Sequence, residues 1–408
     1  MPGAGSSTAI TRAESPARCL DLTRLVSRAG RQATGVDRVE RAYLEHLSHQ
    51  SAPLFGLVRT ALGYLLIDHA GCRAFASRLG AGEIGRPTLF SRLARRGDPA
   101  RAGMESDLRR DAVGRARPRK LGAMLRRHLP EGTSYINVGH TNLGRDTLSG
   151  LRAVPGLRIG VMIHDTIPLD LPEMQREGSV TRFQMLFDRV AAEADTIIAN
   201  SRATAADIAR HSGRRDGVIA AHLGVSQPRL GTPPIGPWSR APCFVALGTI
   251  EPRKNHGFLL DLWERLVAEH GADAPHLLIL GSRGWRNERV FARLDAAPPH
   301  IHELPGLEDP EVFALLAASR GLVFPSLAEG YGLPPLEAAA LGVPALCNDL
   351  PVTREVLGDK GIYADVADGY LWREHIMRLA RQDDRDSQPA EWAPPGWDAH
   401  FKTVLSYV

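Results

Sequence analysis

Phe324–Asp349 reads FPSLAEGYGLPPLEAAALGVPALCND. Between two apolar runs it sets Gly330, Gly332 and Gly342, four prolines, and Glu329 and Glu337 eight residues apart. The preceding GLVFPS (Gly321–Ser326) has the composition of a buried strand. LEAAALG after it suits a short helix ending at Gly342, and Pro334-Pro335 suit a helix start, where a missing N–H costs nothing. The pattern predicts a strand, a tight loop over Leu327–Leu333, and a helix whose N-terminal amides and dipole attract anions. Gly330 and Gly332 allow close backbone approach, and Glu337 is expected in the helix's first turn. A helix-start preference excuses one carboxylate; it does not explain the pair around this loop.

The same alternation extends in both directions. Before Ser226 the apolar runs are SYINVG (Ser134–Gly139), LRIGVMIHD (Leu157–Asp165), DTIIANS (Asp195–Ser201) and GVIAAHLGV (Gly217–Val225). After Pro242 come CFVALGT (Cys243–Thr249), HLLILGS (His276–Ser282), GLVFPS and VPALCN (Val343–Asn348). None alternates polar with apolar, so they read as strands buried on both faces. Helical patterns such as His256–Gly271 and Asp309–Gly321 separate them. The proline- and glycine-rich SQPRLGTPPIGPWSRAP (Ser226–Pro242) interrupts the series. Strand and helix repeating on both sides of a linker predicts an α/β chain of two doubly wound, Rossmann-like domains. The expected division is 1–227, a linker at 228–242, 243–385, and a segment 386–408 with a terminal amphipathic helix packing back on the N-terminal domain. Ligands of such sheets sit beyond the carboxyl ends of the strands, so an interdomain cleft is the expected site.

At 408 residues the chain exceeds one ordinary core, which fits two domains. Its 43% hydrophobic and 24% charged content is that of a globular protein. No apolar run approaches the length that spans a bilayer, and MPGAGSSTAITRAESPARCL lacks a signal-peptide core, so a cytoplasmic placement is expected. Cys19, Cys72, Cys243 and Cys347 lie far apart without a CxxC pair, the pattern of reduced thiols rather than a disulfide frame or zinc knuckle. The net charge of +4 hides a local block: Arg86–Arg127 holds thirteen Arg or Lys against four Asp or Glu, a difference of +9. A solvated basic face, an anionic membrane surface or an acidic substrate would each account for it. Aromatics for base stacking are nearly absent there (Phe90), so no nucleic acid partner is expected.

Two further loops follow strands. GTIEPRKNHG (Gly248–Gly257) leads into a helix with Asn255 at the N-cap, and Arg253 and Lys254 beside helix amides suit a diphosphate. VMIHDTIPLDLPE (Val161–Glu173) brings His164 and Asp165 directly off a strand, with Pro168 fixing the exit. No GxGxxG follows a strand and no GxxxxGK[ST] occurs, so neither a dinucleotide fingerprint nor a P-loop is indicated.

Taken together, EGYGLPPLE with its E-x7-E spacing resembles the donor-site signature of retaining glycosyltransferases of family 4, which have the GT-B fold. GTIEPRKN resembles that family's diphosphate loop, IHDTIPLDLPE the His-Asp loop of its bacterial, mannosyltransferase-like branch, and NSRATAADI (Asn200–Ile208) its strand-to-helix segment. The resemblance covers roughly 157–367. It implies GT-B architecture, two domains facing each other across a deep cleft, and a nucleotide-sugar donor held mainly by the C-terminal one. Glu337 would bond the ribose and Glu329 face the sugar. Gly330, Tyr331, Gly332 and Leu333 would hold hydroxyls and phosphate through their amides, and Thr249, Arg253 and Lys254 would line the diphosphate. His164 would reach the sugar. No metal and no cofactor beyond the donor substrate is expected, since fixed cations can stabilise a departing diphosphate. The resemblance departs where many members carry an Arg several residues before the Lys; here that stretch reads Gly248-Thr249-Ile250.

The acceptor side is expected in the N-terminal domain: Gly35 and Asp37 in GVDRVER, His140 and Asn142 in GHTN, and Asp165. The implied partners are a glycan or lipid-linked glycan, with 86–127 on an anionic membrane surface at the cytoplasmic face. GDP-mannose is the expected donor. Another GT-B enzyme (a phosphorylase or nucleotide-sugar epimerase) and a donor-binding protein without catalysis share these motifs.

Overall fold

The computed structural model describes residues 16–382 and 393–408. The reading of the extreme N-terminus and of 386–392 lies outside the described residues. Strands run β1 (Arg18–Asp21), β2 (Leu54–Thr60), β3 (Gly63–Ile67), β4 (Ala112–Ala116), β5 (Ser134–Asn137), β6 (Arg158–Ile163), β7 (Thr196–Ala199), β8 (Val218–Ala220), β9 (Cys243–Leu247), β10 (His276–Leu280), β11 (Ile301–Glu303), β12 (Gly321–Phe324), β13 (Ala345–Cys347) and β14 (Gly361–Tyr363). Contacts divide the chain into two compact units. One runs to Val161 and adds Glu193–Asp195 and Val408; the other is Met162–Ala192 with Thr196–Tyr407. The proline-rich 228–242 stretch therefore falls inside the second unit.

In the first unit β1 pairs in parallel with β2 and β5, and β5 with β6. An antiparallel edge, β2 with β3 and β3 with β4, extends the sheet. A strand is expected near Leu62–Asp68, where β3 lies, but β4 is not, because it reads AVGRA and carries no strand signal. The basic block 86–127 lies between the strands expected near Leu62–Asp68 and at Ser134–Gly139 and reads in the sequence as an insertion, yet it is part of the sheet. It contributes β4 and the helices Leu89–Ala94, Pro99–Asp111 and Leu121–His128. Several of its charges are matched: Arg95 and Arg101 by Glu105 and Arg110 by Asp107 within the block, and Asp111 by Arg78 outside it.

In the second unit β7 pairs in parallel with β8, and a six-stranded sheet has the order β11-β10-β9-β12-β13-β14. All five pairings are parallel, so the chain winds outward from β9, returns, and winds outward from β12. The strand order reverses between β9 and β12, the topological switch point where ligands of such sheets bind. Leucine, valine and isoleucine fill both faces. Trp263 and Trp372 are fully buried and spend their indole N–H groups on the carbonyls of Pro275 (2.8 Å) and Ala364 (3.1 Å), as buried Trp must. The terminal helix Trp397–Val404 lies against 221–225: Val225 N–H donates to Pro395 O and His400 Nδ1 meets His222 O at 3.1 Å. All four cysteines are unbridged and buried.

Candidate functional site

The loops after β9 and β12 flank the switch point, and their side chains meet. Lys254 Nζ lies 2.5 Å and Arg253 Nη1 3.0 Å from Glu329 Oε1. Arg253 Nε donates to Glu251 at 2.6 Å, and Nη1 also donates to Ala328 O at 3.1 Å. Leu327 N–H donates to Arg253 O at 2.8 Å, so backbone and side chain both tie the two loops. Lys254 Nζ stands 4.6 Å over the Phe324 ring, a cation–π contact that helps hold it in a dry place.

The electrostatics follow from that packing. Burial would raise the Glu329 carboxyl, but Arg253 and Lys254 outweigh it and hold the group at about 2. Burial lowers Lys254 although Glu329 opposes the shift. Burial raises Glu251 and Asp165, each partly offset by Arg253. Three carboxylates and two cations thus lie close together, with Glu329 as the internal anion between the cations.

Gly332 opens the next helix, Leu333–Ala340, in the left-handed region at φ 91° with Pro334-Pro335 in its first turn, a backbone that favours glycine. Glu337 is buried in the second turn, not the first, because the helix starts at Leu333, earlier than the prolines suggest. Gly330 is required for a reason other than ligand approach. A Cβ there would fall 2.0 Å from His164 O, while Gly330 O accepts from Ser201 Oγ (3.1 Å) and Thr204 Oγ1 (3.0 Å). The loop after β12 is therefore locked onto the segments after β6 and β7. His164 is buried, and its carbonyl accepts from Asn200 Nδ2 at 2.8 Å. Tyr331, expected beside the ligand, is buried with its hydroxyl donating to Leu223 O at 2.7 Å; its side chain braces the loop. Thr249 is exposed at the mouth of the β9 loop. Asn255 occupies the N-cap, but at φ 55° and without a side-chain cap bond.

The structure thus brings His164, Asp165, Arg253, Lys254, Glu329 and Gly330 together. Glu251, Ser201 and Thr204 complete the constellation; Ser201 and Glu251 stand in segments directly after strands, where candidates are expected, but the sequence assigns them no role, and Thr204 enters only through NSRATAADI. Glu251 stands within the quoted GTIEPRKN, where the two cations drew the reading. Among the described residues no cluster of His, Cys, Asp and Glu is suited to hold a metal ion.

The first unit carries its own polar centre. Asp21, at the end of β1, accepts from Asn142 Nδ2 (2.7 Å), Tyr135 OH (2.9 Å) and Thr23 N–H (3.0 Å). Burial pushes it up to about 6 against those bonds. His140 and Asn142 hold φ of 55° and 58°, and Asn137 wires the turn between them through Thr141 O and Gly139 N–H. Glu40 packs beside Gly139, where a Cβ would fall 2.3 Å from its Oε1. Gly35 begins the helix Gly35–Ser48, and Asp37 closes its capping box with Thr34 while accepting from Arg24 (2.8 Å) and Arg28 (2.7 Å). Asp37 is therefore occupied in structure. Asp21 escaped the sequence reading because RCLD is a four-residue strand without periodicity, and Glu40 lies within GVDRVER, where Gly35 and Asp37 drew the reading.

Residues 241–382 match the profile of the family described as Glycosyl transferases group 1. The serotype-specific mannosyltransferase WbdA of Escherichia coli is 31% identical over 223 residues, 50% of this chain and 27% of that protein. The O-antigen chain mannosyltransferase B of Escherichia coli is 37% identical over 139 residues, 34% of this chain and 36% of its own. The chain thus spans about a third or less of these curated relatives. Two solved structures share the fold: Anabaena HepE in complex with UDP-glucose, at TM-score 0.58 and 13% identity over 96% of this chain and 94% of that one, and the lipopolysaccharide outer core galactosyltransferase WaaB, at 0.57 and 14% over 96% and 98%. The fold class is that of the GT-B proteins, as the loop motifs predict.

Proposed function

We propose, from the match of residues 241–382 to glycosyl transferases group 1, that the chain is a retaining, metal-independent glycosyltransferase that moves mannose from GDP-mannose to a glycan or lipid-linked glycan. One observation carries the reading: Lys254 and Arg253 converge at the switch point, beside the N-terminus of Leu333–Ala340, on a carboxylate whose place an anionic ligand can take. Breaking an anomeric C–O bond puts negative charge on the departing diphosphate. Two fixed cations and helix amides interact more strongly with that charge than with the intact donor, and this difference lowers the barrier. Glu329, released from the cations, faces the sugar; Glu337 bonds the ribose; His164 stands on the sugar's far side. The mannosyl donor and surface-polysaccharide role are supported by the mannosyltransferase names of both relatives.

The acceptor is assigned to the first unit, around Asp21, Glu40 and the His140–Asn142 turn. The exposed arginines of 86–127 are assigned to an anionic surface at the cytoplasmic face. Among the described residues no helix is long and apolar enough to cross a membrane. A melting screen against GDP-, UDP- and dTDP-sugars tests the proposal. At 100 times its dissociation constant the donor stabilises by about 2.7 kcal/mol. A melting point unmoved by every nucleotide and nucleotide sugar rejects it, and a shift with UDP-sugars but not GDP-mannose rejects the mannosyl part.

A further inference from the structure

The helix Leu89–Ala94 is held down on one side and presents leucine on the other. Its N-cap Thr88 accepts from Ser91 N–H (3.3 Å), and Thr88 N–H donates to Ser106 Oγ at 3.0 Å. Gly85 N–H donates to Asp107 at 2.9 Å, and Arg95 Nε to Glu105 at 2.8 Å. The last three of these bonds fasten both ends onto Pro99–Asp111, whose residues 102–108 are buried. The opposite face carries Leu89 at 74% and Leu93 at 61% exposure, with Ile84 at 41% on the approach. A spacing of four residues puts both leucines on one side of the helix. Single exposed leucines are ordinary on a protein surface; two on one fastened helical face within a basic rim are not explained by chance exposure.

The rim is Arg86, Arg92 and Arg96, all exposed, against Glu83. The acids of the neighbouring helix do not offset it. Glu105 is spent on Arg95 and Arg101, Asp107 on Arg110, and Asp111 on Arg78. Asp98 lies 3.8 Å from Arg31. Further along, Arg115, Arg117, Arg119, Lys120, Arg126 and Arg127 are exposed as well.

We propose that this helix is a membrane-surface wedge: Leu89 and Leu93 enter the headgroup boundary of an anionic bilayer while Arg86, Arg92 and Arg96 pair with lipid phosphates. Charge complementarity selects the anionic bilayer as the occupant, and the leucines separate it from a purely ionic contact. Stable peripheral binding needs two signals, because one short apolar insertion or one basic patch holds only marginally. The wedge deepens the assignment of 86–127 to an anionic surface and does not depend on the donor chemistry.

Cosedimentation of the full chain with vesicles tests it, using phosphatidylcholine alone and a 7:3 mixture with phosphatidylglycerol. The wild type binds the mixed vesicles at least about tenfold more tightly than the neutral ones, and 0.5 M NaCl weakens binding without abolishing it. Leu89→Ser and Leu93→Ser each lower partitioning by about tenfold, and what the double variant retains disappears in 0.5 M NaCl. Changing Arg86, Arg92 and Arg96 to Gln gives a comparable loss. Both variant sets keep the wild-type melting point and its shift with GDP, so failure of the wedge and failure of the donor reading are told apart. The proposal is overturned if the wild type ignores mixed vesicles or binds neutral ones equally, or if the leucine variants bind like the wild type. It is also overturned if the double leucine variant instead converts a dimer to a monomer in solution, or if duplex DNA competes the vesicles off.

Discussion

Glu329→Gln tests the core of the site, because Glu329 is both a structural ion and an occupant of the place assigned to phosphate. At an effective dielectric near 20, one unit charge 2.5 Å and another 3.0 Å from the carboxylate attract it by roughly 7 and 5.5 kcal/mol. Desolvation of three buried charges cancels most of that sum. The net value follows from the titration: the carboxyl falls from its ordinary 4.5 to about 2, worth about 3.4 kcal/mol at about 1.4 kcal/mol per pH unit. A lowered carboxyl stabilises the fold above its unfolded pKa and loses that contribution as pH falls from about 4.5 through about 2. Urea unfolding at neutral pH should therefore find the variant roughly 3 kcal/mol less stable, with the gap closing towards pH 2. Calorimetric titration with GDP should find it about tenfold or more tighter, because no internal anion has to leave Lys254 and Arg253. A variant as stable as the wild type at pH 7, a gap independent of pH, or weaker GDP binding would each refute the account.

In the first unit, burial raises Asp21 to about 6. Its stabilising contribution is therefore complete below about pH 4 and lost as pH rises through about 6, a change of order 3 kcal/mol that Asp21→Asn should remove from a stability–pH curve. Tyr331→Phe removes the 2.7 Å bond to Leu223 O; it should cost about 1 kcal/mol in denaturant melts while GDP affinity stays within twofold, as suits a brace rather than a ligand. Gly330→Ala drives a methyl group to 2.0 Å from His164 O; a loss of about 1–3 kcal/mol or more with weakened GDP binding is expected, and a neutral outcome would show that the loop is not locked there.

The alternation of apolar runs with helical patterns was enough to reveal parallel sheets, and strand-end placement picked out His164, Lys254 and Glu329 before any geometry was known. What escaped was whatever depended on short strands or on partners distant in sequence. β1 and β4 have four and five residues with arginine at or near their ends, so no period could mark them, and Asp21 went with β1. Glu251 was visible but silent, since nothing local says that a buried carboxylate will orient Arg253. Gly330 suggests close approach of a ligand, whereas the group that a Cβ there would meet is the backbone carbonyl of His164, far earlier in the chain. Pro334-Pro335 suggest a helix start that puts Glu337 in the first turn, whereas Gly332 in the left-handed region lets Leu333 begin the helix and leaves Glu337 in the second. Asp37 looked like a surface acceptor group; its bonds to Thr34, Arg24 and Arg28 are nonlocal or backbone-borne, and only the folded chain displays them.

Product stereochemistry reports on the proposed transfer itself. The full chain is incubated with GDP-α-mannose and a lipid-linked or synthetic glycan acceptor, and the new linkage is assigned from the one-bond carbon–proton coupling of its anomeric centre. The account predicts an α-linked mannosyl product, formed by the wild type and abolished in Lys254→Met. A β-linked product, or transfer undiminished in Lys254→Met, would contradict it.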